Sequence, residues 1–190
     1  SFTGELSYEI NIRARHGLAL WTHLMKACAE FGITPYGTEA MHVLRAEKGF
    51  IIVGQETDGS VTPQDLGLDW IVSKVKPDYI GKRALERASM AADNRKQLVG
   101  LRTRERKQVI PEGAHAVLDP KEEMPMTMLG QVTSSYYSPN VGGSIAMAML
   151  KGGRALMGGT VYLPMLDGEV IEAEVVEPVF FDPKGDRING

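Results

Sequence analysis

The chain has 190 residues, of which 43% are hydrophobic and 24% charged, and its formal net charge at pH 7 is -3. This length allows one large domain or two small ones, each with a substantial core. The mild negative charge argues against a nucleic-acid partner, which usually needs a strongly basic surface, and no apolar run is long enough for a membrane span. The single cysteine excludes an internal disulfide or a cysteine-based metal site and predicts a reducing, cytoplasmic location.

Apolar and polar residues alternate near the start of the chain. Leu6, Tyr8 and Ile10 recur at every second position, which predicts a strand with one buried face. Glu5 and Glu9 would then share the opposite face of that strand. Because this run begins without an initiator methionine, we expect the chain to be a piece of a longer protein that carries another part of the functional site.

Helical periodicity follows in three places. Apolar residues at three- and four-residue spacing predict a helix that begins at Gly17 and is stopped by Gly32. A second helix is predicted from Thr38 to Lys48. A third is predicted after Gly81, where alanines recur until residues 93–94.

Between the second and third helices the sequence predicts two short strands, at residues 50–53 and 70–72. Thr62, Pro63 and Asp65 predict the start of a further helix, because threonine caps helices, proline suits the first helical position and the aspartate can reach back to the cap.

From about residue 96 the pattern changes to short apolar runs separated by turn residues. Six strands are predicted, at residues 98–101, 114–118, 128–133, 144–150, 160–163 and 170–176. No long helical pattern appears, so we expect a small antiparallel barrel or sandwich. The sequence as a whole therefore predicts an α+β fold, with one domain over residues 1–95 and an all-β domain over residues 96–190.

Several sequence blocks resemble the aminomethyltransferase, or glycine-cleavage T-protein, family, and they occur in the family's order. The blocks are residues 3–10 (TGELSYEI), 44–49 (LRAEKG), 62–70 (TPQDLGLDW), 79–85 (YIGKRAL), 130–135 (GQVTSS) and 138–139 (SP). Together they cover nearly the whole chain. The resemblance implies that residues 1–95 are the C-terminal portion of a folate-binding domain and that residues 96–190 are the family's C-terminal barrel.

Two further blocks indicate which branch of the family the chain resembles most. Residues 37–45 and 133–139 are most similar to the alpha-subunit branch of heterotetrameric sarcosine oxidases. Met41 stands where T-proteins place an arginine that faces their substrate. A dimethylglycine dehydrogenase relative, a T-protein and a folate-binding module without chemistry remain as alternatives.

This branch implies a function. Sarcosine is oxidised at a flavin carried by a partner beta subunit, and the one-carbon unit of the imine product is transferred to tetrahydrofolate, giving methylenetetrahydrofolate and glycine. The resemblance places FAD or FMN and NAD in the parent complex and not on this chain. It also places the carboxylate that assists folate chemistry upstream, so that no catalytic residue is expected here.

Two residues are the first candidates for folate binding by this resemblance. Glu9 matches the family's pterin-binding glutamate, since a carboxylate accepts two parallel hydrogen bonds from the amino edge of a pterin. The alternative is an exposed strand carboxylate paired with a basic neighbour. Phe2 could stack on the pterin or the aminobenzoyl ring, or could belong to the core.

Five more residues complete the predicted folate site: Glu5, Met41, Phe50, Trp70 and Tyr136. Ordinary core packing is the alternative for the apolar and aromatic ones. Arg45 is expected to form a buried structural ion pair. The four histidines lack metal-ligand spacing, so no metal site is predicted.

Overall fold

The structure, a computed structural model, describes residues 1–189. The strand predicted near the start of the chain is wrong, because residues 1–13 contain no strand. A strand needs a neighbour for its backbone hydrogen bonds. Within the described chain, residues 1–12 make a single backbone–backbone bond, from the amide of Leu6 to the carbonyl of Arg187 at 3.0 Å. The alternating apolar side chains are exposed, including Tyr8 at 81%.

The first two predicted helices are confirmed. Helix α1 spans Gly17–Ala27, and α2 spans Thr38–Glu47. The third is much shorter than predicted, since α3 spans only Lys82–Leu85. The alanines after it are small and mostly exposed, so they bury too little surface to offset the cost of helix formation. Within the described residues, no helix is long and apolar enough to cross a membrane.

The two short strands predicted in the N-terminal half are wrong. Of residues 50–53, only Val53 forms a bridge, to Thr57 within the same turn, and residues 69–71 form a 3-10 turn. Neither segment lies beside another strand, so its apolar residues cannot enter a sheet.

The predicted helix start at residues 62–65 forms its cap but no helix. The amide of Thr62 donates to the Asp65 carboxylate at 2.8 Å, and the amide of Asp65 donates to the Thr62 hydroxyl at 3.3 Å. Gly67 then adopts a left-handed conformation with φ of 72°, and the amide of Leu68 donates to the carbonyl of Pro63 at 2.8 Å. Because this helix-ending arrangement comes directly after the N-cap, the segment forms a single turn instead of a helix.

All six strands predicted in the second half are confirmed. They are β1 (Lys96–Thr103), β2 (His115–Ala116), β3 (Gly130–Ser138), β4 (Gly143–Lys151), β5 (Thr160–Pro164) and β6 (Val170–Val176). They form one antiparallel sheet in the order β2-β3-β4-β1-β6-β5. Val117 and Tyr162 exchange two backbone hydrogen bonds, which join the two edges of the sheet and close the barrel.

Strand β4 explains how the two halves of the chain pack together. Ala146, Ala148 and Leu150 face the core inside the barrel. Ile145, Met147 and Met149, on the opposite face, pack with Ala46 of α2 and Leu98 of β1 in a second core outside the barrel. The N-terminal half therefore covers the outer face of β4. The domain boundary after residue 95 stays a prediction, and β1 begins at Lys96.

Candidate functional site

The start of the chain is held against the end of α2. Gly4 is buried with φ of 81°, and a Cβ at this position would lie 2.3 Å from Cγ of Lys48. Only glycine avoids both the overlap and the strain of this conformation. The Lys48 ammonium in turn donates to the carbonyl and to the carboxylate of Asp182, at 3.0 Å for the carboxylate. The hydrogen bond from Lys48 lowers the pKa of Asp182 below its usual value.

Glu5 is held by the C-terminal segment. Its Oε1 lies 3.0 Å from Nη1 of Arg187, with both side chains about half exposed. The guanidinium of Arg187 also lies 5.0 Å from the centre of the Phe181 ring. The structure thus gives the Glu5 carboxylate a protein partner, and a ligand at Glu5 would compete with it.

Glu9 has no such partner. Its side chain is exposed, and it makes no hydrogen bond or ion pair within residues 1–189. Of the two carboxylates that the sequence singles out, Glu9 is therefore the one whose acceptor oxygens remain available to a ligand.

Helix α2 brings four of the predicted residues into one neighbourhood. The ring of Phe2 meets that of His42 edge to face, with centroids 6.4 Å apart. Met41 lies next to His42 on the helix and is half-buried. The carbonyl of Phe50 accepts a hydrogen bond of 3.0 Å from Arg45, on the next turn of the helix.

Tyr136, on β3, is the fourth member of this group. Burial raises the pKa of its phenol, while the nearby Arg45 guanidinium acts in the opposite direction. Its ring packs against the second core. Trp70 is 73% exposed on its 3-10 turn, and no hydrogen bond or ring contact within residues 1–189 joins it or Glu9 to the group around α2.

A buried polar network joins α2 to the barrel, and sequence reasoning found only part of it. Arg45 forms the predicted buried pair: its Nη1 lies 3.3 Å from Oε1 of Glu56, with both side chains 0% exposed. The Ser134 hydroxyl donates to the same carboxylate at 2.6 Å and accepts from Arg45. The amide of Ile52 donates to the other Glu56 oxygen at 2.7 Å.

A second buried carboxylate, that of Glu47 on α2, also accepts hydrogen bonds from side chains on or just after β3. Glu47 accepts from the Ser138 hydroxyl at 2.5 Å and from the Asn140 side chain at 2.9 Å. Ser134 and Ser138 of β3 therefore satisfy charges of α2 at the interface between the two halves. Sequence reasoning did not assign Glu47 or Glu56, although hydroxyl-rich residues in an otherwise apolar strand were the available indication.

Three cavities accompany these features. One of about 380 Å³ lies between residues 54–61 and the barrel, one of about 400 Å³ lies on the outer face of β1 and β6, and one of about 1120 Å³ lies among barrel loops. None of the three is lined by a residue of the predicted folate site. Within the described residues, no group of three or more histidine, cysteine or acidic side chains could hold a metal ion.

Known proteins resemble this chain along its whole length. It is 48% identical to a sarcosine oxidase subunit alpha from Corynebacterium sp. (strain P-1), over 100% of this chain and 20% of the relative. It is 40% identical to the sarcosine oxidase subunit alpha of Rhizobium meliloti, over 100% of this chain and 19% of the relative. The chain thus spans about a fifth of the length of these relatives.

Aminomethyltransferases are also similar. The Halothermothrix orenii protein is 32% identical over 94% of this chain and 48% of its own length. The crystal structure of glycine cleavage system aminomethyltransferase T from Bartonella henselae has a TM-score of 0.78 and 25% identity, over 96% of this chain and 48% of that one.

Two family models match consecutive parts of the chain. The GCVT N-terminal domain matches residues 1–76, and the glycine cleavage T-protein C-terminal barrel domain matches residues 96–182. The second match coincides with the closed barrel, and the first contains α2 together with Phe2, Met41 and Phe50. The chain therefore belongs to the glycine cleavage T-protein family.

Proposed function

We propose that this chain is the folate-binding end of a sarcosine oxidase alpha subunit. The observation that carries the proposal is the pattern of identity: 40–48% to three sarcosine oxidase alpha subunits over 100% of the chain, against 29–32% to aminomethyltransferases. The proposed reaction is the transfer of the one-carbon unit of the imine derived from sarcosine, which yields methylenetetrahydrofolate and releases glycine.

The chemistry of Glu9 and of Phe2 suits a reduced folate. Glu9 offers a carboxylate without a protein partner, and the amino edge of a pterin supplies two parallel donors for such a group. Phe2 offers a ring that is 41% exposed and oriented by His42, which suits stacking. When bound, the folate supplies the two nitrogens that receive the one-carbon unit.

The remaining predicted residues have supporting roles in this proposal. Met41, half-buried on α2, would be an apolar contact of the folate, and Phe50 and Tyr136, which share Arg45 as a neighbour, would lie beside it. Trp70 would pack on the folate from the exposed 3-10 turn. Glu5, through Arg187, fixes the segment that carries Phe2 and Glu9.

Catalysis by this chain would consist of positioning. The contact of Gly4 with Lys48 holds the start of the chain against the end of α2, and the pair of Glu5 and Arg187 holds it to the C-terminal segment. The site would keep the folate nitrogens close to the imine and exclude water, so that transfer outruns hydrolysis to formaldehyde. In this proposal the flavin and NAD bind elsewhere in the parent complex, a flavin-bearing beta subunit is the partner, and the location is cytoplasmic.

Folate titration of the full-length protein tests this function. We would titrate 5-formyltetrahydrofolate by calorimetry into the wild type, Glu9→Gln and Glu105→Gln, which removes the same charge from an exposed turn of the barrel. Loss of charge-assisted hydrogen bonds worth about 1.5–3 kcal/mol predicts a roughly 10- to 100-fold weaker affinity for Glu9→Gln only.

The products give a second measurement. With sarcosine and tetrahydrofolate present, Glu9→Gln should release more formaldehyde and less methylenetetrahydrofolate, while peroxide formation stays unchanged. Absence of folate binding in the full-length wild type would contradict the proposed function. Equal affinity of the wild type and Glu9→Gln would contradict the role of Glu9.

A further inference from the structure

The largest of the three cavities is an apolar groove on the barrel. It measures about 1120 Å³, and it is lined by Met124, Met126 and Met128 from one loop and by Met165 and Leu166 from the turn between β5 and β6. We call it the methionine groove. No residue of the proposed folate site contributes to it.

The apolar side chains of the methionine groove are displayed outward. Leu166 is 110% exposed, Met124 78% and Met128 41%. The barrel's own core does not account for them, because its buried cluster contains none of these three residues. Contiguous exposed apolar surface of this kind is typical of interaction sites.

The size and composition of the groove favour a polypeptide over a small molecule. Small-molecule pockets usually measure about 300–1,000 Å³ and enclose their ligand, whereas this groove is larger and lies open on the surface. Methionine side chains are flexible and polarisable, and they suit surfaces that receive an apolar helix face.

The edge of the groove is acidic. Glu112, Asp167 and Glu169 line it, and the loop that carries its three methionines adds Asp119, Glu122 and Glu123. None of these six carboxylates takes part in an ion pair within residues 1–189. Lys121 lies on the same loop, and His115 also lines the groove. An occupant that brings positive charge would therefore meet unpaired carboxylates around its apolar contacts.

We propose that the methionine groove binds an amphipathic, basic segment of a partner chain in the assembled protein. Apolar anchors of that segment occupy the space among the methionines, and its lysines or arginines face Glu112, Asp167 and Glu169. This inference relies on the multi-subunit assembly in the proposed function, and it is independent of folate binding.

Site-specific photocrosslinking in the full-length, assembled protein tests the proposal. Leu166 is replaced by p-benzoylphenylalanine, and Lys151, exposed at the end of β4 and outside the groove, is replaced in a control. Irradiation of the Leu166 sample should link this chain to a partner-chain segment that contains apolar residues flanked by lysine or arginine. The control should give no such product.

Charge reversal tests the acidic edge. Glu169→Lys, in the Leu166 photocrosslinking background, should lower the yield of the partner crosslink by about tenfold, because like charges then oppose each other. Glu174→Lys is the matched control, since Glu174 is exposed on β6 but does not line the groove. Thermal unfolding checks that both variants remain folded.

Each other outcome contradicts the proposal. A crosslink to a second copy of this chain, to another part of the same chain, or to a neutral or acidic segment would refute the stated occupant. So would the absence of a crosslink, or a full-length protein that contains no partner chain. The folate titration does not depend on any of these outcomes, so failure of this inference is distinguishable from failure of the proposed function.

Discussion

Removal of Arg45 should destabilise the protein strongly, because the buried carboxylate of Glu56 would lose its cationic partner. In the wild type, Arg45 pairs with Glu56 at 3.3 Å, and both side chains are 0% exposed. After Arg45→Met, the Glu56 carboxylate would keep only the neutral donors Ser134 and Ile52, at 2.6 and 2.7 Å. Loss of one partner from a buried ion pair costs about 3–5 kcal/mol of unfolding free energy.

The double variant Arg45→Met/Glu56→Leu should cost much less than the sum of the two single variants. It removes both charges together, and apolar residues of similar volume can often replace a buried pair at little cost. We expect a coupling energy of about 2 kcal/mol or more between the two positions, within the range for residues in direct contact.

Urea unfolding followed by far-ultraviolet circular dichroism measures these free energies. The matched control is the exposed pair of Arg104 and Glu172, which lie 3.1 Å apart with side chains 83% and 41% exposed. Arg104→Met and Glu172→Leu should show little coupling, since solvent screens exposed pairs. A coupling below about 0.5 kcal/mol for Arg45 and Glu56 would refute the reasoning.

Three further predictions follow from particular contacts. Burial raises the pKa of Asp65, but hydrogen bonds led by those from Arg95 outweigh it and hold the pKa below 3.8. The stabilisation that ionised Asp65 contributes is therefore complete above its unfolded-state pKa and is lost as the pH falls through its folded-state pKa. Asp65→Asn should thus lower the midpoint of urea unfolding at pH 7 and leave it nearly unchanged in strong acid. Gly4→Ala should displace the Lys48 stem and weaken binding of 5-formyltetrahydrofolate by full-length protein; unchanged affinity in calorimetry would contradict this. Gly130→Ala would place a Cβ 1.9 Å from a carbonyl oxygen of β4, so thermal unfolding should show a loss of about 3 kcal/mol, and a wild-type midpoint would disprove the close approach.

The barrel was predictable from sequence because its strands pair with one another. Each short apolar run finds a neighbour in the same sheet, so local pattern and tertiary structure agree. Helices α1 and α2 were predictable for a similar reason, because helical hydrogen bonds lie within the segment itself. The runs at residues 5–12, 50–53 and 70–72 have equally good strand patterns, but no neighbouring strand receives them.

The candidate site, too, was predictable from sequence only in part. The family motifs pointed to Phe2 and Glu9 from sequence, and these two residues remain the core of the proposed folate site. The structure added a physical distinction between Glu5 and Glu9, by placing Arg187 on Glu5 and leaving Glu9 without a partner within the described residues. These two positions look equivalent in a strand pattern, and the difference depends on a residue 182 positions away.

The sequence by itself determined the family, the six-stranded barrel and the residue types available for a folate. The tertiary structure alone decided which residues pair with the buried charges and which surfaces remain open. In the sequence, Glu47 and Glu56 resemble ordinary polar residues, yet both are buried at the interface of α2 with β3. The sequence around Met124, Met126 and Met128 predicts only a loop, yet these methionines line a groove with acidic edges. The partners of a buried charge and the openness of a surface depend on contacts between distant segments, which a local pattern does not specify.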